Sequence, residues 1–105
     1  MSDAAITVPV LCRFWAEDHV WNGVAEDLAV AAFGDAFEIA VSHLREAIES
    51  HLEALLEAGE LSNAVAQLEE RAREYGFLTL HELTSASPLL KMLITVKRGA
   101  IVTVT

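Results

Sequence analysis

The sequence predicts an α+β domain in which a small antiparallel sheet packs on one long helix. A second helix and one or two C-terminal strands are predicted to follow. Three observations support this fold class: an apolar stripe with helical spacing in residues 34–59, short β-rich runs before it, and a Val- and Thr-rich C-terminus. The first four elements are therefore expected in β-β-β-α order.

Residues 34–59 are interpreted as one amphipathic helix. Asp35 stands where an N-cap residue belongs, and Glu38 follows at the spacing of a capping box. Gly59 is placed to end the helix in the left-handed conformation. Apolar residues recur at spacings of three and four and define the predicted buried face: Phe37, Ala40, Val41, Leu44, Ala47, Ile48, Leu52, Leu55 and Leu56.

Three predicted strands precede this helix, at residues 6–15, 20–25 and 29–33. Pro9 interrupts the first strand, and proline has no N–H to donate to a ladder. Either pairing begins at Val10 or Pro9 occupies an edge or a bulge.

The first two strands are expected to form a hairpin. If Glu17 and Asp18 make its loop, Phe14 lies opposite Trp21 and Trp15 lies opposite Val20, which places one pair on each face of the sheet. A loop of another length would change this register.

The C-terminal half is predicted to contain a second, more exposed helix at residues 63–75 that ends at Gly76. Residues 77–91 are mixed, with a helical turn at residues 80–83 and a break at Ser87-Pro88. The rest, residues 92–105, reads as one bulged strand or as two strands joined by a hairpin turn at Lys97-Arg98-Gly99.

Length and composition indicate one domain of 105 residues, with a core at residues 6–60 and an extension at residues 61–105. A hydrophobic fraction of 53% is high for a short chain. Some apolar surface is therefore expected to be buried between copies, in a homodimer or a higher homo-oligomer.

The net charge restricts the kind of partner. Sixteen acidic residues against seven basic ones give −9 at pH 7, which argues against direct nucleic-acid binding and suits a basic protein partner. No apolar run approaches the roughly 20 residues that span a bilayer. A cytoplasmic protein without membrane association is expected.

No pattern in the sequence predicts catalysis, a metal or a cofactor. The histidines at positions 19, 43, 51 and 81 lack the spacing of a zinc motif. Cys12 alternates with Val10 and Phe14, which is typical of a core residue rather than a nucleophile. The chain is therefore expected not to be an enzyme.

Partner binding is assigned instead to two groups of residues. Trp15 or Trp21, whichever faces outward, would anchor a partner. Glu46, Glu49 and Glu53 share one surface of the predicted long helix and would supply negative charge.

The start of the long helix resembles the HicB-like antitoxin family, over residues 10–60. The family pattern opens with G-D-T-x-x-E-A and continues with a second E-A; Gly34-Asp35, Ala40 and Glu46-Ala47 match it here. With the capping residue, the structural motif comprises Gly34, Asp35, Glu38, Ala40, Glu46 and Ala47. Two departures are Ala36 in place of threonine and Ile39 in place of glutamate.

The resemblance implies a partly eroded ribonuclease H-type or double-stranded-RNA-binding-type fold. It also implies an antitoxin that neutralises a small basic mRNA-cleaving toxin of the HicA-like kind by covering its active site. The DNA-binding segment that many family members carry has no counterpart in residues 77–105. The alternative is a stand-alone, self-associating scaffold or adaptor domain without a toxin. A metal-dependent nuclease is disfavoured because no acidic residue lies between Ile6 and Ala16.

Overall fold

The computed structural model describes residues 5–75 and 89–97, which form an α+β domain of two layers and so confirm the predicted fold class. The strands are β1 (Ala5–Glu17), β2 (Val20–Ala25), β3 (Val30–Gly34) and β4 (Leu89–Lys97), and the helices are α1 (Phe37–Glu57) and α2 (Leu61–Tyr75). All neighbouring strands are antiparallel, in the order β3-β2-β1-β4. A 3₁₀ turn, Glu26–Leu28, joins β2 to β3.

Several sequence predictions concern the C-terminal part of the chain. The helical turn at residues 80–83, the break at Ser87-Pro88 and the strand over residues 98–105 lie outside the described residues. Within them, β4 begins at Leu89, earlier than the predicted start at Met92.

The β1–β2 hairpin has a two-residue turn formed by Asp18 and His19. Both residues have positive φ angles, of 54° and 65°, as a type I′ turn requires. Ala16 therefore pairs with Trp21, and the predicted register, which paired Phe14 with Trp21, is wrong by two residues. An even shift leaves every side chain on its predicted face, because side chains alternate along a strand.

Pro9 lies in the half of β1 that has one neighbouring strand. β4 pairs with β1 from Ala5 to Arg13, whereas β2 pairs only from Arg13 onward. Pro9 lies opposite Leu93 of β4, and on its other side the described sheet has no strand whose carbonyl would need an N–H from this position. This is the edge placement that the sequence left open as one alternative.

The core lies between the sheet and the two helices. Every second residue of β1 from Val8 to Phe14 is buried against them, and β4 contributes a second row. The members of this core are Val8, Val10, Cys12, Phe14, Ala25, Ala40, Leu44, Ile48, Leu52, Leu61, Leu68, Met92, Ile94 and Val96. The predicted apolar stripe of α1 is confirmed, since its four buried residues all belong to it.

The predicted N-cap of α1 is wrong. The N-cap residue is Ala36, and no side chain donates or accepts a capping hydrogen bond there. β3 continues to Gly34, so Asp35 and Ala36 are both needed to turn the chain back onto the sheet before the helix begins. Glu38 therefore does not complete a capping box, but as an acidic residue in the first turn it still suits the helix dipole.

Gly34 allows α1 to start directly against β3. A Cβ atom at this position would lie 2.7 Å from Cγ2 of Ile39 and 2.8 Å from the backbone nitrogen of Ala40. Carbon atoms do not approach this closely without displacing the neighbour, and here one neighbour is helix backbone. The glycine is therefore required by close packing.

Gly59 ends α1 as predicted, with a φ of +76°. Its N–H donates to the carbonyl of Leu56 at 3.1 Å, and the N–H of Glu60 donates to the carbonyl of Leu55 at 2.9 Å. These two bonds form a Schellman motif. The chain enters α2 immediately afterwards, at Leu61, two residues before the predicted start.

We expect substitutions at two neighbouring residues to differ in their effect on the free energy of unfolding. Gly34→Ala should lower the free energy of unfolding by roughly 1–3 kcal/mol, because the new methyl group overpacks the start of α1. Asp35→Ala should change it by less than about 0.5 kcal/mol, because no cap is lost. Urea denaturation followed by circular dichroism measures both. An Asp35→Ala loss of about 1 kcal/mol or more would restore the capping interpretation.

Candidate protein-binding surface

The two tryptophans lie on opposite faces of the sheet. Trp21 faces α1, where its ring meets that of Phe37 edge-on at a centroid distance of 5.2 Å. Phe37 also contacts Phe14 edge-on, at 5.3 Å. Trp15 is on the face away from the helices and is partly buried. Of the two candidate anchors, the structure thus places Trp15 outward and Trp21 among the aromatic residues under the helix.

The acidic candidates lie far from Trp15. Glu46 and Glu53 are exposed on the surface of α1 that faces away from the sheet, and Glu49 is partly buried beside them. The sheet separates this surface from Trp15. The predicted partner-binding residues therefore do not form one site: the carboxylates belong to the helical layer and the tryptophan to the opposite face of the sheet.

Large apolar side chains are exposed on both faces of the sheet near Gly34. On the helix side, Ile39 is 42% exposed and Phe37 is 36% exposed. Ile39 packs against Gly34, and Phe37 contacts Trp21, the cross-strand partner of Gly34. We call Gly34, Phe37 and Ile39 the Gly34 corner. Phe33 is 67% exposed and pairs with Asn22, so it lies on the opposite face of the sheet, with Trp15.

The sequence contained one signal for this surface. Ile39 stands where the HicB-like pattern has a glutamate, so an apolar side chain replaces a charge at an exposed position. Phe33 was assigned to a strand without a face, and Phe37 was assigned to the buried stripe. Neither assignment predicted that both rings would be exposed, Phe37 beside Ile39 and Phe33 on the opposite face of the sheet.

Two side chains of α1 donate hydrogen bonds to the two outer strands of the described sheet, β3 and β4. Nδ1 of His43 donates to the carbonyl oxygen of Phe33 in β3 at 2.9 Å. Nη1 of Arg45 donates to the carbonyl oxygen of Leu93 in β4, also at 2.9 Å. Two residues are separated by roughly 200° around a helix, so His43 and Arg45 project to opposite sides of α1. The sequence analysis predicted neither of these contacts.

A groove of about 450 Å³ lies between α1, α2 and the 3₁₀ turn. Its lining includes His51, Leu68 and an ion pair in which Nε of Arg71 lies 3.2 Å from Oδ1 of Asp27. Arg71 also contacts Glu74 at 2.9 Å. The ion pair between Arg71 and Asp27 thus joins α2 to the 3₁₀ turn after β2.

Cys12 is a core residue, as predicted. It is fully buried, and its Sγ donates weakly to the carbonyl oxygen of Val10 at 3.6 Å. Burial, opposed in part by the positive charge of Arg45, raises the pKa of the Cys12 thiol to about 12. The thiol is therefore protonated and unreactive at neutral pH.

The remaining chemical candidates are dispersed. His19 belongs to the β1–β2 turn, and His81 lies outside the described residues. In residues 5–75 and 89–97, no three histidine, cysteine, aspartate or glutamate side chains come together as a metal site. Neither helix in this part of the chain has the length and apolar character needed to cross a bilayer.

Comparisons of the chain with protein-family models, with curated proteins and with solved structures give no match. The HicB-like resemblance therefore stays a prediction that depends on the motif residues alone. The expected homo-oligomer and the cytoplasmic location also stay predictions.

We expect the free energy of unfolding to decrease as the pH rises above about 9, because the buried thiol of Cys12 keeps its proton in the native state. The unfolded chain releases the thiol proton near pH 9, whereas the native protein retains it until about pH 12. In this interval the native state binds more protons, so the free energy of unfolding should decrease by up to about 1.4 kcal/mol per pH unit. Cys12→Ala should remove this component.

The measurement is urea denaturation of the wild-type protein and of Cys12→Ala at several pH values from about 8 to about 11. This range surrounds the ordinary pKa of a thiol. Groups other than Cys12 titrate in both proteins and cancel in the difference. Equal slopes in the two proteins would contradict the burial of the thiol.

Proposed function

We propose that this chain is a non-catalytic antitoxin-type binding module, similar to HicB-like antitoxins, that neutralises a small basic mRNA-cleaving toxin by protein–protein contact. The observation that carries this proposal is the Gly34 corner, where the large apolar side chains of Phe37 and Ile39 are exposed on a strongly acidic protein. Exposed apolar residues surrounded by polar ones are typical of protein-binding surfaces.

The distribution of charge supports a basic partner. Exposed carboxylates follow one another along the outer surface of α1, at Glu38, Glu46 and Glu53. α2 adds further exposed acidic residues at positions 69, 70 and 74. A field of this sign increases the rate of encounter with a basic protein and repels RNA and DNA.

Electrostatic competition would explain neutralisation. A ribonuclease toxin binds the phosphate backbone of mRNA through a basic surface. An acidic protein that occupies the same surface excludes the RNA and needs no catalytic group of its own. The burial of Cys12 and the separation of the histidines in the described residues agree with a role in binding rather than in chemistry.

The first experiment is coexpression with the product of the adjacent reading frame, if that product is a small basic protein. We expect the two proteins to co-purify and the association rate constant to decrease as salt is raised, because salt screens charges over roughly 10 Å at 0.1 M. The antitoxin should suppress RNA cleavage by the partner. A chain that binds no adjacent basic protein, or that cleaves RNA with magnesium after repurification, would refute the proposal.

Self-association is the alternative function, and the exposed side chain of Leu93 favours it. This residue is 56% exposed on β4, which is the outer strand of the described sheet on that side. An apolar outer strand is a common site of pairing between copies. We expect the chain to form a homodimer at a protein concentration of roughly tens of micromolar. The fraction of dimer should rise with concentration, as in any reversible association.

Light scattering measures the oligomeric state, and Leu93→Ser should weaken the dimer if β4 forms its interface. A dimer that forms without any basic partner would support the scaffold. A monomer throughout this concentration range would contradict it.

A further inference from the structure

We infer that the sheet face turned away from the helices is an interface between two copies of this chain, which pack face to face about a two-fold axis. We call this surface the open face. It consists of alternate residues of the four described strands, and its apolar members are Pro9, Leu11, Trp15, Val20, Val24, Ala31, Phe33, Leu89 and Leu93. The inference rests on the alternative function, self-association, and names the surface that performs it.

Strand pairing places these residues on one face of the sheet. Trp15 pairs with Asn22, and Asn22 pairs with Phe33, so the three residues form a row across β1, β2 and β3. Trp21, which precedes Asn22, contacts Phe37 of α1 and therefore marks the other face. Directly opposite Cα atoms are roughly 5 Å apart, so roughly 10 Å separates the Cα atoms of Trp15 and Phe33.

Large apolar side chains are exposed at both sides of the open face. Phe33 is 67% exposed on β3 and Leu93 is 56% exposed on β4, and these are the two outer strands of the described sheet. They are the two most exposed large apolar side chains in the part of the chain that the structure describes. Both described helices pack on the other face, through the core. The open face therefore presents apolar atoms to a partner.

The area of the open face is sufficient for a reversible dimer. A residue in a sheet occupies roughly 16 Å², from a rise of roughly 3.4 Å and a strand spacing of roughly 4.8 Å. The four described strands therefore project roughly 500 Å² on one face, or roughly 1,000 Å² for two copies. Specific interfaces bury about 1,000 Å² or more in total, so we expect a dissociation constant in the micromolar range.

The distribution of charge favours contact through this face. Four charged residues have register positions on the strands of the open face, Arg13, Glu17, Lys91 and Lys97, and one of them is acidic. The exposed carboxylates of α1 and α2 lie in the helical layer. When two sheets pack face to face, roughly 30 Å or more separates the outer surfaces of the two helical layers. This separation is several times the Debye length at physiological salt, so the negative charges of the two copies are screened from each other.

Other arrangements of two copies are less favourable. Contact between two helical layers would bring Glu46 and Glu53 of one copy against the carboxylates of the other. Contact between the open face of one copy and the helical layer of the next would cover Phe33 with carboxylates. Such a contact is heterologous and would produce open-ended chains rather than a closed dimer.

A nucleic acid or a basic protein is a poor occupant of the open face. Nucleic acids bind through many cations, and Arg13 on this face already forms an ion pair with Glu26 at 3.7 Å. A basic protein is attracted to the helical layer, where the exposed carboxylates of α1 and α2 lie. An apolar face with few carboxylates is best covered by another of the same kind, which a second copy supplies.

The first test compares one chemical change on the two layers of the domain. Ala31→Glu places a carboxylate on the open face, and in a two-fold dimer this change acts twice. Ala54→Glu makes the same change at an exposed position of α1, in the layer that the dimer leaves outside. Sedimentation equilibrium of the full chain should show a dissociation constant raised at least about tenfold by Ala31→Glu and less than about twofold by Ala54→Glu.

A second pair of variants removes exposed apolar side chains. Phe33→Ser should also raise the dissociation constant of the dimer about tenfold, whereas Ile39→Ser on the helix side should change it less than about twofold. Both side chains are exposed in one copy, so both variants are expected to fold. Thermal unfolding followed by circular dichroism checks this for all four variants.

The fluorescence of Trp15 reports on the open face directly. The sequence contains two tryptophans, so Trp15 is the one that remains in Trp21→Phe. We expect acrylamide to quench Trp15 less as the protein concentration rises through the dissociation constant. In Trp21→Phe/Ala31→Glu this loss of quenching should move to higher concentration.

Four results would overturn the inference. The first is a monomer at hundreds of micromolar, which would also refute self-association. The second is a dimer that Ala31→Glu and Ala54→Glu weaken equally. The third is growth into open-ended polymers. The fourth is a Trp15 that is protected from acrylamide in the monomer, which would show that a part of the same chain outside the described residues covers the face.

The outcomes also distinguish this surface from the functions proposed above. A dimer that Leu93→Ser weakens and that Phe33→Ser and Ala31→Glu leave unchanged would retain pairing through β4 and refute the open face. The antitoxin role depends on the helical layer, so its refutation by an adjacent basic protein that does not bind would leave the dimer unchanged.

Discussion

The rest of the structure depends on the close contact between the start of α1 and the end of β3. Gly34 permits this contact, because any side chain would displace Ile39 or the backbone of Ala40. Once α1 starts there, it packs over β3 and β2, and α2, which follows the Schellman motif at Gly59, lies against β1. The same contact leaves Phe37 and Ile39 partly exposed beside Gly34, so one packing constraint fixes both the core and the candidate site.

The two layers of the domain differ in charge and therefore in the partners that each can bind. Most described carboxylates project from α1, α2 and the loops, while Lys91 and Arg13 lie on the strands. The Gly34 corner lies where the layers meet, and it combines exposed apolar side chains with the acidic start of α1. A surface with both properties can bind a basic protein tightly, because desolvation of the apolar atoms adds to charge attraction.

The sequence predicted those features that depend on local periodicity or on glycine. The buried face of α1, the bounds of β2 and the role of Gly59 follow from spacing and backbone preference. The hairpin register was wrong because the positive φ angles of Asp18 and His19 are not evident from their residue types. The N-cap was wrong because the end of β3 at Gly34 determines where α1 can begin, and this is a tertiary constraint. The apolar surface beside Ile39 was missed for the same reason, since it joins residues of two elements.

The core is expected to hold the Gly34 corner as a rigid, preformed surface. Native-state hydrogen exchange measures this rigidity residue by residue. We expect the amide of Ala40, which donates to the carbonyl of Ala36 at 3.0 Å, and the β3 amides paired with β2 to exchange only through global unfolding, together with amides near Leu44. Exchange of these amides through a local opening, at a free energy several kcal/mol below that of the α1 centre, would contradict it.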